Sequence, residues 1–164
     1  KIAKQFYSIS LSEIKPHLSS KYHEERLIAL LILVDKYQKT KSKEIVDFYL
    51  SNTQHINNWD LVDLTAHKIL GDFLLYKDKK IIYNLTESNN LWKKRIAIIS
   101  TFAFIKNNQF EDSLKIAEIL LKDKHDLMHK EVGWMLREIG KKDQKVLENF
   151  LKTHYKNMPR TMLR

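Results

Sequence analysis

Apolar residues recur at helical spacing along almost the whole chain, and the longer of these stretches begin near residues 22, 58, 90 and 125. Each longer stretch is followed by a shorter one, so the unit repeats every 36, 32 and 35 residues. A helix pair of that size cannot bury its apolar face alone and does so by stacking on its neighbours. Three apolar stripes carry the pattern: Leu27, Leu30, Leu31 and Val34; Ile96, Ile99, Phe102 and Ala103; Val132, Leu136 and Ile139. No stretch shows the strict alternation of a strand. Composition agrees, since 3 glycines and 2 prolines in 164 residues leave little for tight hairpins or phosphate-cradling loops.

The periodicity predicts helices over 11–19, 22–39, 42–54, 58–76, 78–87, 90–107, 110–122, 125–141 and 143–156, with a further helix starting near Pro159. Ser42, just before Lys43 and Glu44, is the expected N-cap of the third. The expected fold is all-α: a right-handed α-solenoid of HEAT/ARM-like helix pairs, one domain over 1–164. The alternative is an ordinary helical bundle. The chain opens without Met and stops at Met162-Leu163-Arg164, which reads as the start of a helix, so residues are expected to be missing at both ends. Lys1-Ile2-Ala3-Lys4 does not lead into a signal peptide, and the longest apolar run, Leu27 to Val34, is too short to span a membrane. No membrane-spanning segment is expected.

With no Cys, disulfides, thiolate metal sites and cysteine nucleophiles are excluded. The 7 His form no HExxH; His125 and His129 are spaced i, i+4 but no third ligand accompanies them, so no metal is expected. The 29 Lys and Arg against 20 Asp and Glu give a net charge of +9. That imbalance suits phosphates, although a solvated basic surface would look the same.

Three segments carry side chains that a plain core does not explain. In Asn57-Asn58-Trp59-Asp60-Leu61-Val62-Asp63-Leu64, Trp59 and Asp63 share a helix face. Asp60 suits the positive end of the helix dipole, but Asp63 lies beyond the first turn among apolar residues and needs water or a cation. In Leu91-Trp92-Lys93-Lys94-Arg95, three cations stand where the dipole disfavours them, which an anionic partner or simple solvation would explain. In Lys130-Glu131-Val132-Gly133-Trp134-Met135-Leu136-Arg137-Glu138, Trp134 and Arg137 are neighbours on the helix surface. Gly133 inside that helix costs about 1 kcal/mol against Ala, which close approach of a backbone or a ligand would rationalise.

Taken in order, Trp59-Asp60-Leu61-Val62-Asp63, Trp92-Lys93-Lys94-Arg95 and Gly133-Trp134-Met135-Leu136-Arg137-Glu138 resemble the DNA alkylation repair enzymes built from HEAT-like repeats. The tail Met158-Pro159-Arg160-Thr161-Met162-Leu163-Arg164 is similar to their penultimate helix. The resemblance implies a bacterial DNA glycosylase of base excision repair. It would hydrolyse the N-glycosidic bond of cationic purines such as 3-methyladenine and 7-methylguanine in duplex DNA held on a concave face. By motif, Asp63 is then the catalytic carboxylate, Arg95 the cleft arginine on the DNA backbone, and Trp59 and Trp134 the tryptophans beside the deoxyribose. Lys93, Lys94, Lys130, Arg137 and Arg160 are the accompanying DNA-binding cations. No cofactor and no metal are implied, and the setting implied is a monomer in the bacterial cytoplasm, associated with the nucleoid and not with a membrane.

The implied chemistry is self-consistent. An N3- or N7-alkylated purine is already cationic and leaves as a neutral base, so no general acid is required. Positive charge develops on the sugar, where a carboxylate stabilises it and orients water. Aromatic faces add cation–π attraction and an arginine on a phosphate sets position. Two other readings stay open at this point: a noncatalytic DNA binder on the same scaffold, and a scaffold for acidic protein segments. A binder gains nothing from a carboxylate facing phosphates, so Asp63 separates the first from the glycosylase.

Overall fold

The computed structural model describes residues 5, 6 and 8–164. Residues 1–4, on which the reading of an absent signal peptide rests, lie outside the described residues. Among the described residues, all regular structure is helical. The helices are α1 (Leu11–Leu18), α2 (His23–Thr40), α3 (Lys43–Ser51), α4 (Trp59–Asp63), α5 (Asp72–Leu74), α6 (Lys80–Thr86), α7 (Leu91–Lys106), α8 (Glu111–Leu120), α9 (Asp126–Lys142) and α10 (Gln144–His154). A π turn over His67–Gly71 joins α4 to α5, and single 3₁₀ turns occupy Thr53–His55 and Tyr155–Asn157. No helix of the described residues is long and apolar enough to cross a membrane.

Local chemistry starts most of these helices. Ser10 and Glu13 close a reciprocal capping box on α1. Ser42 caps α3 by accepting from the Glu44 amide, as expected. The Asn90 side chain accepts from both Trp92 and Lys93 amides and so fixes the start of α7. His125 caps α9 through the Leu127 amide, and His129 Nε2 lies 2.6 Å from the Asp123 carbonyl. Both histidines that the sequence offered as an i, i+4 pair are thus occupied with the backbone.

Each long segment packs on the next. α2 contacts the π turn, the π turn contacts α7, and α7 contacts α9. The shorter helices sit against their long neighbours: α1 and α3 on α2, α6 on α7, α8 on α7 and α9, and α10 on α9. α7 is central, and its buried residues include Ile96, Ala97, Ile98, Ile99, Ala103, Phe104 and Ile105, so it is apolar nearly all round rather than striped.

The expected helix over 58–76 is corrected: it is broken. The Thr65 hydroxyl donates to the Leu61 carbonyl, the acceptor that an α-helix reserves for the Thr65 amide. That amide turns to the Val62 carbonyl at 3.1 Å, α4 stops at Asp63, and the chain resumes as a π turn. Periodicity sees only apolar spacing, and gives no sign that α-type hydrogen bonding yields to a π turn here while Leu64, Ala66 and Asp72 keep right-handed helical dihedrals. Tyr49 anchors the same hydroxyl at 3.0 Å from the other side. Near Pro159 the expected helix shows as one turn, closed by the Leu163 amide on the Pro159 carbonyl.

Two glycines permit close packing. A Cβ on Gly71 would stand 2.2 Å from the Ser100 carbonyl oxygen and 2.9 Å from Ala103 Cβ on α7. A Cβ on Gly133 would stand 2.6 Å from the Met162 carbonyl oxygen, so the close approach there is made by another backbone. Gly71→Ala should destabilise the fold by about 1–3 kcal/mol, because backbone must move on one side. Urea unfolding measures this, with a lower midpoint at unchanged slope as the expected result.

Candidate functional site

α4, α7 and α9 each contribute one charged side chain to a single cluster. Leu61 and Val62 of α4 are fully buried, which turns Trp59 and Asp63 toward the opposite face. Arg95 Nε donates to Asp63 Oδ1 at 3.1 Å, and Nη2 donates to Asp63 Oδ2 at 3.0 Å. This two-bond fork suits a planar guanidinium and fixes the carboxylate plane. Nη2 also sits against Oε2 of Glu131. Side-chain exposure falls from 18% at Asp63 to 7% at Arg95 and 3% at Glu131, so Asp63 is the end that meets solvent. Burial pushes the Glu131 carboxyl up to about 8; Arg95 opposes that shift and Asp63 reinforces it.

An aromatic row runs alongside the charges on the same segments. His67, one turn beyond Asp63, meets Phe102 edge-on at 5.4 Å between ring centres. Phe102 meets Trp134 at 5.7 Å. Trp134 lies one turn beyond Glu131, and its indole N–H donates to Glu138 at 3.2 Å. Lys106 Nζ stands 4.3 Å over the Phe102 ring. Burial pushes the His67 imidazole down to about 4, aided by Lys106 and Lys68, so it is neutral at physiological pH. Trp59 is 56% exposed at the start of α4, with its amide held by Asn58.

The structure therefore brings Asp63 and Arg95 into direct contact, with Trp59 one turn before Asp63 and Trp134 linked through Phe102. The sequence resemblance implied an arginine on the DNA backbone; here the guanidinium is committed to two carboxylates. The three cations of Lys93-Lys94-Arg95 point three ways. Lys94 is bound to Asp123 at 2.7 Å, Arg95 is turned inward, and Lys93 is half-buried with no ion pair among the described residues. Lys130 is exposed and pairs with Asp126 one turn back, while Arg137 and Arg160 are exposed and make no contact with the cluster. Asp60 bonds His23 of α2 at 2.7 Å and the Leu61 amide at 2.9 Å, a structural role beyond the dipole effect.

Glu131 and His67 were not singled out from sequence, and Phe102 entered only as a member of an apolar stripe. Glu131 carried a readable signal: it falls at the apolar spacing of α9, between Met128 and Met135, where a carboxylate has no reason to stand without a buried cation. Among the described residues, no group of His, Asp and Glu is arranged to hold a metal ion.

Comparison with known proteins bears on this geometry. The sequence profile of one family, described as DNA alkylation repair enzyme, matches residues 1–164. Searches of curated proteins and of solved structures gave no match.

Proposed function

The chain belongs to the DNA alkylation repair enzyme family, and from that premise we propose that it is a DNA glycosylase releasing cationic alkylated purines such as 3-methyladenine and 7-methylguanine from duplex DNA. The observation that carries the reading is Asp63: a carboxylate held by a two-bond fork at the solvent end of a buried cluster, one helical turn after the exposed Trp59. The consecutive packing of long segments supports stacked helix pairs in a right-handed solenoid, with the cluster on its DNA-facing side.

In this reading the alkylated base leaves as a neutral purine while the sugar becomes an oxocarbenium-like cation. Asp63 faces C1′, stabilises the growing positive charge and accepts a hydrogen bond from the attacking water. Because Arg95 fixes both carboxylate oxygens, little reorganisation accompanies the reaction. Trp59 and Trp134 present ring faces to the sugar, which favours its cationic form over the neutral one. The chemistry needs neither metal nor cofactor.

Phosphate attraction comes from the +9 charge and from cations that remain available: Lys93, Arg137 and Arg160, with Lys130 sharing its charge with Asp126. Lys93→Ala should lower the slope of log affinity against log salt by about 0.9, equally on all sequences. Lys94→Ala should have a smaller effect on that slope, because its ammonium already serves Asp123. Filter binding over a salt series separates the two.

The deciding assay is release of 7-methylguanine from methylated duplex DNA by the protein and by Asp63→Asn. Release that depends on Asp63 supports the glycosylase. Tight duplex binding without release would instead support a noncatalytic binder, a reading favoured by one feature: Asp63 and Arg95 also have the form of a structural ion pair.

A further inference from the structure

We infer that Glu131 is a positioning residue that makes Asp63 electrostatically available, by neutralising the far side of Arg95. This rests on the glycosylase reading of the same site. The argument is one of charge. Asp63 and Arg95 alone are a neutral pair, and a neutral pair is a poor partner for a cationic sugar. Arg95 Nη2 is shared between Asp63 Oδ2 and Glu131 Oε2, so the guanidinium serves two carboxylates at once. With Glu131 ionised the cluster carries one net negative charge, and the only member with appreciable exposure is Asp63. Glu131 Oε1 has no hydrogen-bond partner although it is buried, so the residue is not held there to satisfy a network of its own.

Glu131 itself never reaches the substrate, because its side chain is 3% exposed beneath Arg95. The charged groups that act on it are Arg95 from α7 and Asp63 from α4; among the described residues, α8 and α10, which also pack on α9, contribute none. Its carboxyl is pushed up by burial to about 8, so its ionisation, and with it the net charge of the cluster, changes just above neutrality. Excision should therefore speed up as pH rises from 6 toward 9, with the midpoint near that value. Arrival of a cationic sugar favours the ionised form further.

The test uses Glu131→Gln, which keeps shape and an acceptor for Arg95, and Glu131→Asp, which keeps the charge. Duplexes carrying a cationic pyrrolidinium abasic site and a neutral tetrahydrofuran abasic site are bound at pH 8. The parent should prefer the cationic duplex, and Glu131→Gln should lose that preference by on the order of tenfold, with neutral-duplex affinity level or higher. Glu131→Asp should retain part of it. In 7-methylguanine release, Glu131→Gln should sit on the parent's low-pH rate and lose the rise toward pH 9. A merely structural role would weaken both duplexes alike and leave the pH profile in place. If the parent prefers the cationic duplex and Glu131→Gln prefers it equally, the proposal is overturned while the glycosylase reading stands. If the parent releases no base yet shows a cation preference that Glu131→Gln removes, the glycosylase reading fails and the role of Glu131 stands. If the parent shows no cation preference at all, the proposal fails.

Discussion

Asp63→Asn should lower 7-methylguanine excision by about 100-fold or more while duplex affinity stays level or rises. The substitution keeps side-chain volume and one acceptor oxygen. It removes the negative charge that meets the developing sugar cation, and it places an amide NH₂ against one of the two Arg95 donors. The charge matters only as the glycosidic bond breaks, so the loss belongs to the chemical step, and single-turnover rates should show it undiluted. DNA carries phosphates that an anionic groove repels, which is why binding should not suffer. Excision at the parent rate would make Asp63 a structural residue and end the proposed mechanism.

Arg95→Met should produce the largest stability loss of any substitution in the charged cluster. Methionine matches the length of the stem but removes the cation, so Asp63 loses its fork and the enclosed Glu131, which is ionised at pH 9 only with Arg95 beside it, must take up a proton; the loss is measured at pH 9. Removing one partner of a buried ion pair typically costs about 4 kcal/mol, roughly 10 °C in Tm for a chain of this size. The sign of the coupling identifies the cause. Against a Glu131→Gln background the same substitution should cost clearly less, because the enclosed carboxylate is already gone. Equal losses in both backgrounds would mean that packing of the arginine stem, not charge, is what the protein misses.

Helix existence was legible from apolar spacing because tertiary packing reinforces it: most expected helices lie within a few residues of those found, and Ser42 caps where its chemistry says it should. The break after Asp63 was not legible, since apolar spacing does not report a π turn inside a helical stretch. The site was half visible. Asp63 stood out as a carboxylate among apolar residues; Arg95 entered as part of a basic run and, through the resemblance, as an arginine on the DNA backbone, whereas it is turned inward onto two carboxylates. Successive residues on a helix differ by about 100° in direction. Lys93, Lys94 and Arg95 therefore face different surroundings, and one-dimensional proximity misgrouped them. Glu131 was hidden for the converse reason: its neighbours Lys130 and Asp126 on the exposed side made the start of α9 look like an ordinary solvated face.

The shared guanidinium also works as an alignment mark. Three helices, α4, α7 and α9, meet at one planar group, and sliding any of them by a single residue, about 1.5 Å, would pull a carboxylate out of hydrogen-bond reach. Apolar ridges tolerate such slippage, because one leucine row resembles the next. A buried charge does not, since every shifted alignment leaves it uncompensated. The cluster thus selects one axial setting of α4, α7 and α9 from several that hydrophobic contact alone would accept.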